Sequence, residues 1–254
     1  MTKTSVHSSV NRFLRKGKAA LLAYDQGFEH GPTQDFDLNS VDPDYVLDIA
    51  EKAKFTGFIS HIGVAEHYWR HRRHKIPLMV KLNGKTKLLG GEPLSRQLCS
   101  VKRAAAVGAA GVGYTVYIGS EHESIMLPEA ARIIEEAHEL DLAAALWMYP
   151  RGTGALDPNS TEIIAYGARL ALELGADFVK LPFNNDVAGL KWIVKSAGRC
   201  NVLIQGGSKI GLTELVQKLG AAMSAGAKGV AIGRNVWQDH KPMVVAKAVM
   251  KEVF

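Results

Sequence analysis

Two lysines stand in apolar runs where a lysine is costly. Lys180 ends Phe178-Val179-Lys180 and is followed by Leu181, and Lys81 sits between Val80 and Leu82. Burial disfavours an ammonium and lowers its pKa. The neutral amine that results is the form that adds to a carbonyl carbon. Lys180 is therefore a candidate Schiff-base nucleophile. The alternative is a lysine whose stem follows the strand while its head reaches water. Lys81 has a similar claim, either as the cation that depresses Lys180 or as a phosphate contact. Tyr149 offers a phenol that can exchange a proton with a sugar hydroxyl. Trp147, two residues earlier, offers a flat wall, and both aromatics could equally be core filling. Asp25 could orient Lys180 or shuttle a proton while a carbinolamine loses water. An aspartate after a strand is also an ordinary cap. Here residues 27–32 read as a loop, so no helix needs one.

A second constellation lies nearer the C-terminus. Gln205-Gly206-Gly207 and Gly233-Arg234 each follow an apolar strand-like run. Glycine lets backbone N–H groups approach an anion, and arginine adds a fork of donors. The alternative is two tight turns. His30, His61, His67, His71 and His74 have no carboxylates at metal-ligand spacing, so no metal and no cofactor are expected.

These groups need elements to hold them. Short apolar runs at 19–25, 57–62, 77–83, 109–117, 142–149, 176–181, 201–205 and 228–233 read as strands. Between and after them, 43–54, 65–73, 121–139, 160–174, 188–197, 212–225 and 242–253 read as helices, with Asp42 a plausible N-cap. Eight near-equal βα units predict an α/β fold, a single (β/α)8 TIM barrel, rather than a doubly wound open sheet. No linker divides residues 1–254, so one barrel domain is expected. Reactive groups in such barrels sit at the C-terminal strand ends, and the sites after strands seven and eight commonly take a phosphate. Alternation puts Lys81 and Asn83, Trp147 and Tyr149, and Lys180 on faces opposite their apolar neighbours, pointing into the barrel mouth.

Composition narrows the class. With 254 residues, 47% hydrophobic and 22% charged, the chain can bury a large core, which excludes wholesale disorder. A formal charge of +6 fits an anionic substrate or a mildly basic surface. The cluster at 70–75 is expected to be a solvated helix end rather than a nucleic-acid contact. Cys99 and Cys200 have no metal spacing and no framework of pairs, as in a reducing cytoplasm. The first 18 residues are polar, without a signal-peptide core, and no apolar run approaches the ~20 residues that span a bilayer. A soluble cytoplasmic protein without membrane or nucleic-acid partners is expected.

Six stretches together carry a family resemblance: AYDQGFEHGP at 23–32, VKLNGKT at 80–86, VGYTVY at 112–117, WMYPRG at 147–152, GADFVK at 175–180 and GRNVWQ at 233–238. Over nearly its whole length the chain resembles the archaeal-type class I fructose-1,6-bisphosphate aldolases. The resemblance implies reversible cleavage of fructose 1,6-bisphosphate to dihydroxyacetone phosphate and glyceraldehyde 3-phosphate. It implies Lys180 as the Schiff-base lysine, Tyr149 as proton donor and acceptor, Asp25 as the acidic residue and Trp147 as the substrate-lining tryptophan. Gly206, Gly207, Gly233 and Arg234 fall on its phosphate site, and Arg151 or His30 is a candidate for the distal phosphate. Many relatives read Asp-His-Gly where this chain has Asp25-Gln26-Gly27. Gln26 can replace a hydrogen-bonding histidine but not a titrating one. The wider family includes an aldol-transfer synthase making 2-amino-3,7-dideoxy-D-threo-hept-6-ulosonate for aromatic amino acid biosynthesis, the runner-up activity, and a thiolase. A non-catalytic sugar-phosphate-binding barrel would have no reason to keep both Lys180 and Tyr149. Relatives form ring-based assemblies, which implies a homo-oligomer.

Overall fold

Eight parallel strands close on themselves. They are β1 (Ala19–Tyr24), β2 (Gly57–Ser60), β3 (Leu78–Lys81), β4 (Gly111–Ile118), β5 (Ala143–Pro150), β6 (Phe178–Leu181), β7 (Asn201–Gln205) and β8 (Gly229–Ile232). Each pairs with its sequence neighbours, and β1 closes the ring against β8 from Ala19↔Gly229 to Leu22↔Ile232. The chain is a (β/α)8 barrel. The computed structural model describes residues 7–32, 35–73, 76–88 and 90–254.

Strands covered on both faces must be apolar on both, which is why they read as continuous hydrophobic runs. The inner layer is Ala19, Leu21, Ala23, Ile59, Met79, Ala143, Ala145, Trp147, Phe178, Leu203 and Ala231. Small residues there leave volume for a few large ones. At the N-terminal end, Phe13 is fully buried with its ring edge-on to Phe178, centroids 6.1 Å apart. Gly57 and Gly111 make room for it, since a Cβ on Gly57 would lie 2.7 Å from Phe13 Cδ1. The sequence reading noted only that the first 18 residues are polar and assigned them no place in the barrel. Its helix His7–Asn11 and Phe13 instead plug the barrel floor.

Helices Pro43–Lys52, Glu123–Glu139, Thr161–Glu173, Val187–Ser196, Leu212–Ser224 and Pro242–Val253 surround the barrel. The Asp42 side chain accepts from Asp44 N and the Ser160 side chain from Ile163 N, which fixes two helix starts. Four local expectations are corrected. Residues 65–73 are not one helix but Ile62–His67 followed by the turn Trp69–His71. Val101–Ala106, capped by Ser100, is a helix the sequence reading omitted. Residues 26–30 are a five-residue helix, not loop. Within the basic cluster Arg72 is not a solvated end. It ion-pairs with Asp44, Asp48 and Glu51 of the first outer helix. His74 and Lys75 of that cluster lie outside the described residues. Cys99 and Cys200 are buried and unpaired. Among the described residues no helix is long and apolar enough to cross a membrane.

Candidate active site

The polar strand ends converge on one pocket at the C-terminal mouth. Asp25, Gln26, His30, Lys81, Trp147, Tyr149, Arg151, Lys180, Gln205, Gly206, Gly207, Gly233 and Arg234 all line it. These candidates are brought together from the ends of β1, β3, β5, β6, β7 and β8, whereas Asn83, also expected at the mouth, is buried behind the pocket with its side chain bonded to Ser95 and Thr115.

Lys180 is 7% exposed and faces Trp147 across the β5–β6 register. Its Nζ lies 5.3 Å from the Trp147 ring centroid, and Lys81 Nζ lies 5.4 Å from the same ring. Burial pushes the Lys180 amine down, and nearby Arg234 pushes the same way, against the carboxylates of Asp25 and Glu29. Lys81 is lowered to about 8, chiefly by burial and partly by Lys180 itself, while Asp25 opposes. The repulsion between the two amines is mutual, so Lys81 and Lys180 disfavour each other's charge, and Arg234 adds to the effect on Lys180. Lys81 Nζ also donates to the Asn83 carbonyl at 3.2 Å, which ties it to its own strand.

Asp25 sits at the start of the short helix Gln26–His30, yet its side chain makes no capping bond. The carboxylate is left for the amines. Burial alone would raise its pKa; Lys180, Lys81 and His61 outweigh that and hold it below the usual carboxylate value. The Tyr149 phenol goes the other way, raised well above 10 by burial and by Asp25, so it rests protonated. Arg151 lies 5.4 Å from the Tyr117 ring and 5.5 Å from the Tyr149 ring, with Nη1 donating to Glu29 at 3.0 Å.

The far wall is built from backbone. Gly206 N donates to Ala231 O at 3.0 Å, so this N–H belongs to the barrel and not to an anion. Gly206 is needed for space, because a Cβ there would lie 2.6 Å from Ile232 Cγ1. Gly207 takes φ of 71°, the left-handed region where glycine is favoured. A Cβ on Gly233 would strike the Ala23 carbonyl oxygen. Arg234 opens the helix Arg234–Trp237 and lies 3.3 Å from Asp35. Asn235 joins the two turns, donating to Gly206 O and Ser208 O at 2.9 Å each and accepting from Ile210 N. His30 lies 2.9 Å from Asp35 and 3.0 Å from Lys87.

The sequence reading missed several lining residues: Glu29, His61, Lys85, Ser95, Thr115 and Tyr117. His61 was weighed only as a metal ligand. It stands one residue after β2, as Asp25 does after β1, and that position was the available signal. Burial and Lys81 lower it to about 4, so it is neutral at neutral pH. Thr115 and Tyr117 share the inward face of β4, which alternation could have shown.

Known proteins resemble this chain along most of its length. Residues 19–239 match the DeoC/LacD family of aldolases. The class 1 fructose-bisphosphate aldolase of Thermoproteus tenax is 44% identical over 244 residues, which cover 95% of this chain and 92% of that protein. The class 1 fructose-bisphosphate aldolase of Halobacterium salinarum is 40% identical over 90% of this chain and 87% of its own. A solved archaeal fructose-1,6-bisphosphate aldolase has its catalytic lysine covalently bound to the carbinolamine intermediate of the substrate. It is 41% identical with a TM-score of 0.93, covering 98% of this chain and 99% of that one. This chain therefore belongs to the DeoC/LacD aldolase family, alongside the archaeal class 1 fructose-bisphosphate aldolases.

Proposed function

We propose that the protein is a lyase that reversibly cleaves fructose 1,6-bisphosphate to dihydroxyacetone phosphate and glyceraldehyde 3-phosphate through a Schiff base on Lys180. One observation carries the reading. A buried amine with a lowered pKa shares one pocket with an ionised carboxylate, Asp25, and a protonated phenol, Tyr149.

The neutral Lys180 Nζ adds to the C2 carbonyl carbon. Asp25 moves the proton that lets the carbinolamine lose water, which leaves an iminium. Dehydration takes up one proton, which Asp25 relays from solvent to the departing hydroxyl, and it leaves a positive charge near Tyr149. That charge lowers the phenol's pKa, so its proton passes to the Asp25 carboxylate and Tyr149 is left as the phenolate. Tyr149 then takes the C4 hydroxyl proton as the C3–C4 bond breaks. The bonding electrons flow to the iminium nitrogen, and glyceraldehyde 3-phosphate departs. Tyr149 returns its proton to C3 of the enamine. Water then attacks the iminium carbon and releases dihydroxyacetone phosphate with the free amine. No metal takes part.

Gln205, Gly207, Gly233 and Arg234 hold the phosphate next to the ketone, and Gly206, which packs against Ile232, lets the turn that carries Gly207 lie close to β8. Of the two candidates for the distal phosphate, Arg151 is favoured over His30: its guanidinium has five N–H donors, of which one Nη1 bond goes to Glu29, whereas Nδ1 of His30 lies between Asp35 and Lys87. Family likeness supports one barrel domain over 1–254, a homo-oligomer and a cytoplasmic location. The test is turnover of fructose 1,6-bisphosphate measured beside the substrates of the aromatic-precursor synthase. Cleavage of the bisphosphate, unchanged by EDTA, is expected. Activity confined to the synthase substrates would overturn the assignment.

A further inference from the structure

Among the described residues, four buried side-chain polar atoms have no hydrogen-bond partner: Gln26 Oε1, Ser60 Oγ, Ser95 Oγ and Trp147 Nε1. Three of these residues, Gln26, Ser95 and Trp147, line the catalytic pocket. Buried polar atoms are nearly always paired in native proteins. Leftover ones gathered at a site point to a partner that arrives with the ligand. Ser95 is the most enclosed of the three, at 1% exposed, and lies in the β3–β4 connection, outside the barrel strands themselves.

Ser95 is held rigidly. Asn83–Gly84 pairs antiparallel with Arg96–Gln97, which brings the connection back to the barrel mouth. Asn83 Nδ2 donates to Ser95 O and to Thr115 O, both at 2.9 Å, and Thr115 N donates to Asn83 Oδ1 at 2.8 Å. The Tyr114 hydroxyl donates to Glu129 at 2.5 Å and lies 3.1 Å from Ser95 O. Glu129 also accepts from Gln97 N at 2.9 Å. Asn83 therefore fixes the Ser95 carbonyl, with the Tyr114 hydroxyl packed beside it, while the Ser95 hydroxyl is uncommitted. A hydroxyl on a fixed backbone needs little ordering when a ligand arrives.

Its place in the ring of strands says which part of a ligand it meets. Ser95 stands with Lys81, Lys85 and Thr115 on the β3–β4 wall. Gly207, Gly233 and Arg234 stand across the barrel on the β7–β8 wall. Lys180 on β6 and Tyr149 on β5 lie between. A ketose phosphate with its C1 phosphate on β7–β8 and C2 at Lys180 extends its remaining carbons toward Ser95. We propose that the Ser95 hydroxyl hydrogen-bonds an oxygen of the aldehyde-derived half of the substrate and selects for aldehydes that carry that oxygen. This rests on the Schiff-base aldolase reading above.

The test uses the full chain and Ser95→Ala in the condensation direction. Dihydroxyacetone phosphate is offered with glyceraldehyde 3-phosphate, with glyceraldehyde, and with propanal, which has no further oxygen. Borohydride trapping of dihydroxyacetone phosphate alone is followed in parallel. The variant should trap the ketone phosphate like wild type. Its kcat/KM for glyceraldehyde 3-phosphate should fall roughly 3–15-fold, the worth of one neutral hydrogen bond, with propanal unaffected. An equal fall for glyceraldehyde would place the contact at a hydroxyl, and a fall for the phosphate ester alone would place it at the phosphate; either supports the proposal. Normal trapping with no change in aldehyde preference overturns it and leaves the Schiff-base reading standing. A parallel loss of trapping would overturn it by showing that Ser95 only maintains structure. Wild type that traps nothing would bring down both.

Discussion

Trp147 and Lys180 are register partners on β5 and β6, and the Lys180 amine lies 5.3 Å from the centre of the Trp147 ring. The Lys81 amine approaches the same ring at 5.4 Å. An aromatic face attracts a cation by about 0.5–2 kcal/mol. That is less than the cost of burying an unpaired charge, and both lysines retain lowered pKa values. The indole thus sets where the amines sit more than whether they are charged.

The space for that indole comes from Gly113 on β4, where a Cβ would overlap Trp147 Cζ3 and Cη2. Gly113→Ala should move the ring off its seat and cost about 1–3 kcal/mol, the usual penalty for overpacking. A lower Tm and slower trapping of dihydroxyacetone phosphate are expected together. Unchanged values for both would show that the indole has other room to occupy.

Tyr149→Phe keeps the ring and removes the proton. Cleavage should fall roughly 10²–10⁴-fold, the usual contribution of a positioned acid or base. Adduct formation on Lys180 should survive, because that step draws on Asp25. Near-normal turnover would reduce Tyr149 to a packing residue. Loss of the adduct along with turnover would place the phenol in carbinolamine chemistry.

The pH dependence of adduct formation reads Lys180 directly. The rate rises with pH as the ammonium loses its proton. Among the neighbours of Lys180, Asp25 acts to raise this pKa, so Asp25→Asn should lower it and move the inflection to lower pH. The maximal rate should fall as well, since the proton relay is gone. An inflection that stays put or moves up would show that Asp25 is not electrostatically coupled to the amine.

Strand positions were legible because in a closed barrel both strand faces are covered. Apolar runs then mark strands, and a polar residue near a run's end turns into the mouth. Asn201–Gln205 and Pro242–Val253 were read with the bounds observed, and Lys180, Tyr149, Asp25 and Arg234 met in one pocket. What escaped depends on contacts distant in sequence. Gly27 and the Gly31-Pro32 pair read as breakers, yet 26–30 is helical, with Phe28 packed on the His61 ring at 5.0 Å. Phe13 is apolar within a polar stretch, and only the glycines of β2 and β4 show why it is buried. Ser95 lies in a run with no periodicity, and its position is set by Asn83 and Tyr114.

Mapping the reduced adduct tests the central claim most directly. The protein is incubated with dihydroxyacetone phosphate, reduced with borohydride, digested and examined by mass spectrometry. The added mass is expected on the peptide carrying Lys180, with the Lys81 peptide unmodified. An adduct on Lys81, or none on either lysine, would contradict the account.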